Sequence, residues 1–417
     1  MIYYIDRIHG QGDGTSPQHP RADYRDLALM PGDAVLFRRG TVMRERLITV
    51  SGTPGAPITY GAYGEGEPPC FIGSVALCHE EDWECVRPNV WRCVKRPDTE
   101  ACHFIFDDGA SCGTLRWSLD TLCGQGDFFD ECYGFSSKKL PCTGGLYLWS
   151  EQNPAKVYRK IECAVFGGRN LADAGHDMRI ESLAFEMSGV HGVSGKGIRT
   201  EILGCRFRYI GGCVWSRERK IRFGNAVEFW NICEDTTVEN CVFDEIYDSC
   251  VTHQGGAECK PACHVRIVRN HFSNYGMAAY ECRDRLPIDT AFSGNSCEDA
   301  GGGFSSLGAT NPRNSEIYPE PMGHHIFIWR IPSATEGGGL RIEDNVFGGA
   351  SGAAVYSTAC TQAEAQIYMA NNLYRKEPGA FFCRFGGKDY GDFEEYRKET
   401  KKDKGSVLSC FCDGRKE

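Results

Sequence analysis

Short runs of alternating apolar and polar residues, separated by small and turn-forming residues, fill the second half of the chain. From about residue 179 onward they follow one pattern: a β-rich run, then Asn or Cys, any residue, and an apolar residue. The copies read ILGCRF (202–207), VENCVF (238–243), IVRNHF (267–272), FSGNSC (292–297), IEDNVF (342–347) and YMANNL (368–373). Each is followed by a small-residue turn and a second β-rich run, as in DSCVTH, GMAAYE, GGGFSS, GAAVYS and GAFFCR. The first runs end at steps of 36, 29, 25, 50 and 26 residues. A repeat near 25 residues is one turn of a wide β-solenoid with two or three short strands per coil. The longer steps then carry insertions of roughly ten and twenty-five residues. A series of βαβ units is the alternative, but no helical period of adequate length lies between the strands. The expected fold is all-β, a right-handed parallel β-helix.

Two positions before the end of each first run stand Cys205, Cys241, Asn270, Asn295, Asn345 and Asn371. Asn tolerates left-handed backbone and bonds its neighbours, so stacked copies predict a ladder along the axis, with Cys as a small buried substitute.

A solenoid must cover its open ends. Residues 1–72 alternate strand and turn signals, notably over 31–61, and are expected to form the N-terminal cap and first coils. Residues 73–165 break the coil pattern and predict an inserted β-rich subdomain, in which GQGDFFDECYG (124–134) and GGLYLWSEQNPAKVY (144–158) read as paired strands. Asp127, Phe128 and Phe129 are placed there to overhang a cleft, with a purely structural hairpin as the alternative. Residues 166–385 form the β-helix proper, and 386–417, with DFEEYRKETKKDK, a short helical cap.

The formal net charge of −10 argues against nucleic acid as a partner, since phosphate binding needs a basic face. The opening MIYYIDRIH lacks the features of a signal peptide, and no stretch reaches ~18 apolar residues, which predicts no membrane span and a cytoplasmic chain. The 23 cysteines are odd in number and scattered, so mostly free, buried thiols are expected. Cys259 with Cys263, and Cys410 with Cys412, each lack a second pair at zinc spacing, so no metal site is assigned. A homo-oligomer is left open.

On a β-helix, one strand from each coil makes a parallel sheet whose outward side chains line up ~4.8 Å apart. Polar residues inside such strands mark a site. NAVEFWN (225–231), DSCVTHQGG (248–256) and GMAAYECRDR (276–285) bring Glu228, Asp248, His253, Gln254, Glu281 and Arg283 to neighbouring coils, flanked by Trp215 and Trp230. Clustered carboxylates beside aromatic surfaces suit glycosidic bond cleavage, which needs an acid for the leaving oxygen and a base or nucleophile opposite. Glu228, Asp248 and Glu281 are the catalytic candidates. His253, Gln254, Arg283, Trp215, Trp230 and Asp127 are candidate substrate contacts. His324 and His325 fall in the long insertion 308–338, which is expected to project from the same side and close the cleft; His324 joins the substrate contacts.

The chain resembles the bacterial right-handed parallel β-helix carbohydrate-active enzymes of the pectate-lyase-like superfamily, most of all the glycoside hydrolase family 141 type. The resemblance is carried by YYID, GDGTSP and VLFRRG near the start, then by GAPITYGAYGEGEPP, QGDFF, LYLWSEQNPAKVY, FGNAVEFW, EIYDSCVTHQGG and DFEEYRKET. It implies α-L-fucosidase or xylanase-like chemistry and places Glu228, Asp248 and Glu281 in the active-site region. The expected activity is hydrolysis of an oligosaccharide or terminal sugar without a cofactor. Two alternatives stand beside it: a polysaccharide lyase or uronate epimerase, with Arg283 among the possible bases and Ca²⁺ bridging an anionic substrate, and a non-catalytic glycan-binding β-helix.

Overall fold

The computed structural model describes residues 1–133, 141–167, 170–308, 322–375 and 382–409. Each regular coil contains three short strands. One coil has Arg266–Val268, His271–Tyr275 and Ala278–Arg283; the next has Thr290–Ser293, Ser296–Cys297 and His324–Trp329. Successive coils pair in parallel and in register, Ile267 beside Phe292, Phe272 beside Cys297, and Tyr280 beside Ile326. The chain is a parallel β-helix, right-handed as parallel crossovers are. We call the row Val227–Glu234, Ser249–Gln254, Ala278–Arg283, His324–Trp329 and Val355–Ser357 the front face.

The repeat's apolar residue points inward and stacks on its copy in the next coil. Phe71, Phe185, Phe207, Phe243 and Phe272 form a continuous pile with centroids 4.8–5.9 Å apart. Beside it runs the polar ladder. The amide N–H of Cys241 donates to Asn270 Oδ1 at 2.9 Å, that of Asn270 to Asn295 Oδ1 at 2.9 Å, and that of Asn295 to Asn345 Oδ1 at 2.9 Å. Each Asn also donates its own Nδ2 to a backbone carbonyl of the adjoining coil, so both ends of every side chain are satisfied where water is absent. Cys241 substitutes as expected, its Sγ accepting from Cys205 N at 3.4 Å.

One rung differs from expectation. Asn372, not Asn371, continues the ladder, accepting from Asn345 N at 3.1 Å, and its own N–H donates to Ser406 Oγ at 2.8 Å. The sequence offers two adjacent asparagines, and Tyr374, two residues after Asn372, is the buried aromatic that stacks on Phe347. Asn371 is exposed, with φ +53° in the turn just before. Asn372→Ala is therefore expected to lower the thermal unfolding midpoint clearly, stranding buried backbone groups at about 1–3 kcal/mol. Asn371→Ala loses only part of its left-handed preference, about 1 kcal/mol. Circular dichroism melts of the two variants check the order, and equal midpoints would refute this register.

Strands Ile2–Ile5, Ala34–Arg38 and Ile58–Tyr63 pair in parallel as the first turns. At the far end, helix Phe393–Thr400 lays Phe393 and Tyr396 onto the core, and Tyr396 and Tyr374 donate their hydroxyls to buried Asp403. Between Cys70–Ile72 and Ala172–Glu181 the chain leaves the helix and builds two small, mostly antiparallel sheets with their own core around Phe104, Phe128 and Leu148. Cys132 and Cys142 form a disulfide there, and the other cysteines among the described residues are free, most of them buried. Cys410 and Cys412 lie outside the described residues. No described helix is long and apolar enough to cross a membrane.

The insertions share one corner. The subdomain follows Cys70–Ile72, a hairpin of Cys213–Ser216 and Ile221–Phe223 follows Arg206–Ile210, and the 298–323 segment follows Ser296–Cys297. All three preceding strands belong to the ten-stranded sheet, and each insertion returns the chain to the front face. The two coils between the hairpin and the last insertion turn tightly, Ile246 to Ser249 and Tyr275 to Ala278. Two tight turns between two bulky ones leave a recess on the front face.

Candidate active site

The recess is a cavity of about 670 Å³, within the range typical of small-ligand sites. Its floor follows from strand alternation broken by one bend. In Ala278–Arg283, Ala279 and Tyr280 both enter the core, so Glu281 points out, Cys282 in, and Arg283 out into the cavity. The same bend recurs in the neighbouring coils. Register then sets an outward row of Ser194, Glu228, Thr252, Glu281 and Phe327, and a second with Trp230 beside Gln254 and Arg283 beside Trp329. Glu228 and Glu281 are two rungs apart, about 9.6 Å between backbones.

Glu228 is buried and held from several sides. Its Oε2 accepts from Asn225 Nδ2 at 2.7 Å and Gln254 Nε2 at 3.1 Å, and its Oε1 accepts from Ser194 Oγ at 3.3 Å. His191 Nε2 lies 3.4 Å from Oε2, while its Nδ1 accepts from the amide of Asn225, which fixes the proton on the nitrogen facing the carboxylate. Asn225 is further locked by accepting from Ser249 N at 3.0 Å.

Glu281 is fully buried and accepts from Ser249 Oγ at 2.9 Å, Thr252 Oγ1 at 3.3 Å and Arg283 Nε at 2.7 Å, with a second, shorter ion-pair contact to the same guanidinium. Burial pulls the Arg283 pKa down, but the charges of Glu281 and Asp248 and the Glu281 hydrogen bond outweigh it, so the guanidinium is held more firmly protonated than usual. Asp248 occupies the tight turn on the middle rung, lining the cavity between the coils of the two glutamates.

The walls are aromatic. Trp215 and Trp230 are 45% and 48% exposed, and Trp329, Phe327, Met277 and Met322 complete the apolar lining, with Arg219 and Arg330 at the rim. The near wall comes from the 213–223 hairpin, and none of the large subdomain's described residues lines the cavity. The subdomain acts as a buttress instead: Glu100 Oε1 accepts from Val214 N at 2.7 Å, Arg222 donates to Cys102 O at 2.7 Å, and Arg217 stacks over Tyr133.

Glu228, Asp248, Glu281, Gln254, Arg283, Trp215 and Trp230 are thus gathered in one cavity. Three expected contacts are elsewhere. His253 alternates with outward Thr252 and Gln254, so it faces inward beside Phe229 and Cys282, its Nε2 3.7 Å from Cys259 Sγ; burial pulls its pKa down to about 4, with Asp284 opposing, and leaves it neutral at pH 7. Asp127 is spent inside the subdomain, accepting from the amides of Cys123 and Gly124 and pairing with Arg116. His324 and His325 do not project; they open the front-face strand His324–Trp329. His324 Nδ1 accepts from Ala353 N, and His325 bridges Tyr275 Oη and Gly348 O. Residues 309–321 of that insertion lie outside the described residues. His191, Asn225 and Trp329 were missed. Asn225 heads the NAVEFWN run already singled out, and Trp329 ends a strand in phase with Arg283, but nothing local marks His191, whose role depends on the coil that follows it.

No protein-family model and no curated protein matches the sequence. Among solved structures, the chain is similar to XylC in its complex with xylose, with TM-score 0.53 and 12% identity over 90% of this chain and 63% of that one. A structure titled glycoside hydrolase aligns over 98% of this chain and 96% of its own at TM-score 0.47 and 8% identity. The GH136 lacto-N-biosidase from Eubacterium ramulus aligns over 98% and 67% at TM-score 0.43 and 13% identity. At such identity the likeness to XylC is one of fold, and this chain spans about 63% of the XylC chain's length.

Proposed function

We propose that the chain is a glycoside hydrolase of the family 141 type, cleaving a short oligosaccharide or releasing a terminal sugar in the front-face recess. The observation that carries this reading is the gathering of Glu228, Asp248 and Glu281 in one tryptophan-lined cavity. Glu228, fixed in place by its donors, activates water as the base. Asp248, on the middle rung, delivers the proton to the leaving oxygen as the general acid. Glu281, paired with Arg283, fixes the guanidinium in the recess, and the pair orients the sugar. The tryptophans offer faces for the apolar side of sugar rings.

Asp248 donates its amide to Gly224 O, which places its backbone one rung over and four residues, about 13 Å, along the strand from that of Glu228. With the two backbones so widely offset, we expect the carboxyls to admit a water between them, which suits inversion rather than retention, for which ~5 Å is needed. Following the first-formed anomer by proton NMR checks it; a retained anomer would refute the pairing. The activity itself is tested on a panel of aryl glycosides and reduced oligosaccharides, where release of a reducing sugar is expected and Glu228→Gln should lower it about 10³-fold. A chelator-sensitive activity yielding an ultraviolet-absorbing unsaturated product would overturn hydrolysis in favour of elimination. Arg283 is poorly suited to be the base of such a lyase, because its guanidinium is committed to Glu281.

A further inference from the structure

We infer that Glu100, Cys102 and Cys213 bind a thiophilic divalent cation, best matched by zinc, that fastens the inserted subdomain to the hairpin walling the active-site recess. The three side chains are buried, 0–1% exposed, and one carboxylate oxygen and both sulfurs lie within 4.8 Å of one another. Cys213 Sγ is 3.6 Å from Glu100 Oε2. A sulfur and an oxygen on a tetrahedral zinc, with Zn–S about 2.3 Å and Zn–O about 2.1 Å, are about 3.6 Å apart, so this pair already stands at ligand spacing and the second sulfur lies close to it. Glu100 Oε1 accepts from Val214 N, the kind of outer bond that aims a ligating carboxylate.

Charge supports the assignment. Two thiolates and a carboxylate around a divalent cation carry one net negative charge, and Arg222, anchored on the carbonyls of Cys102 and Gly212, supplies the compensating positive charge. Val190, Phe166 and Phe223 pack about the two sulfurs, and the nearby buried Asp130, which accepts from Ala101 N, is itself paired with Arg96. Thiolate, not thiol, is the ligating form, so both cysteines give up their protons to bind the cation. A cation displaces both protons to solvent as it binds, and because the site is closed it loads as the chain folds. Three protein ligands leave the fourth position to a water. The ligands come from segments more than a hundred residues apart, Glu100 and Cys102 at the edge of the insertion and Cys213 at the base of the hairpin that carries Trp215 and Arg219 into the recess.

Metal analysis of the purified full chain is expected to find about one equivalent of zinc, and cobalt exchanged into the site should give the near-ultraviolet thiolate-to-cobalt band. Cys213→Ser should lose the metal and the band, while Cys85→Ser, at an exposed cysteine, keeps both. Thiol titration of the denatured wild-type chain serves even where Cys213→Ser does not fold. Release of both thiols together with zinc supports the site. A wild-type chain that takes up no metal when refolded in zinc overturns it, and so does a titration short by a Cys102–Cys213 disulfide. None of these measurements depends on the hydrolase reading.

Discussion

Asp248→Asn is expected to lower glycoside hydrolysis by about 10³-fold, about 4 kcal/mol in the barrier, with KM and the circular dichroism spectrum little changed. Asparagine keeps the shape of the turn and cannot deliver a proton. The backbone of residue 248 still bonds Gly224 O and Met277 N, so the fold has no reason to shift. Protonation of the leaving oxygen matters least when the leaving group is already acidic. The defect should therefore shrink on nitrophenyl glycosides relative to natural sugars. Equal losses on both substrates would sink the assignment of Asp248 as the acid, even if the chain proved to be a hydrolase.

Glu281→Gln is expected to lose activity and also stability. It removes the hydrogen-bonded partner of the Arg283 guanidinium and leaves that charge only Asp248 and Asp284 nearby, at a cost of up to about 3 kcal/mol. Glu281→Gln combined with Arg283→Met removes both charges and should recover most of the melting temperature while remaining inactive. Recovery of folding without activity separates the chemical role of Glu281 from its structural one. Wild-type turnover by the double variant would exclude Glu281 from the site. Glu228→Gln contrasts with this, because its neighbours are neutral donors and the amide can keep part of the network.

The legible part of the fold was whatever repeats. The ladder residues Asn270, Asn295 and Asn345 and the stacked phenylalanines face identical environments in every coil, so the pattern had to recur in the chain. Where the repeat offered two adjacent asparagines, the rung was set by which one leaves the following aromatic, Tyr374, in the core. The catalytic candidates were legible because carboxylates inside otherwise apolar strands are conspicuous. His253 was misplaced for the converse reason: a strand of polar residues looks uniformly available until register shows which of them alternate inward.

By itself the sequence determined the solenoid, its period, its covered ends and the stretch of coils carrying the acids, because each depends on local pattern and on stacking of like upon like. Only the tertiary structure decided the shape of the recess. Its walls come from insertions sharing one corner of the coil, Glu228 is met by His191 from the preceding coil, and the Glu100, Cys102 and Cys213 cluster joins distant segments. Such contacts arise between segments with no common period, and their geometry is fixed by how the coils stack, which no single run of residues encodes.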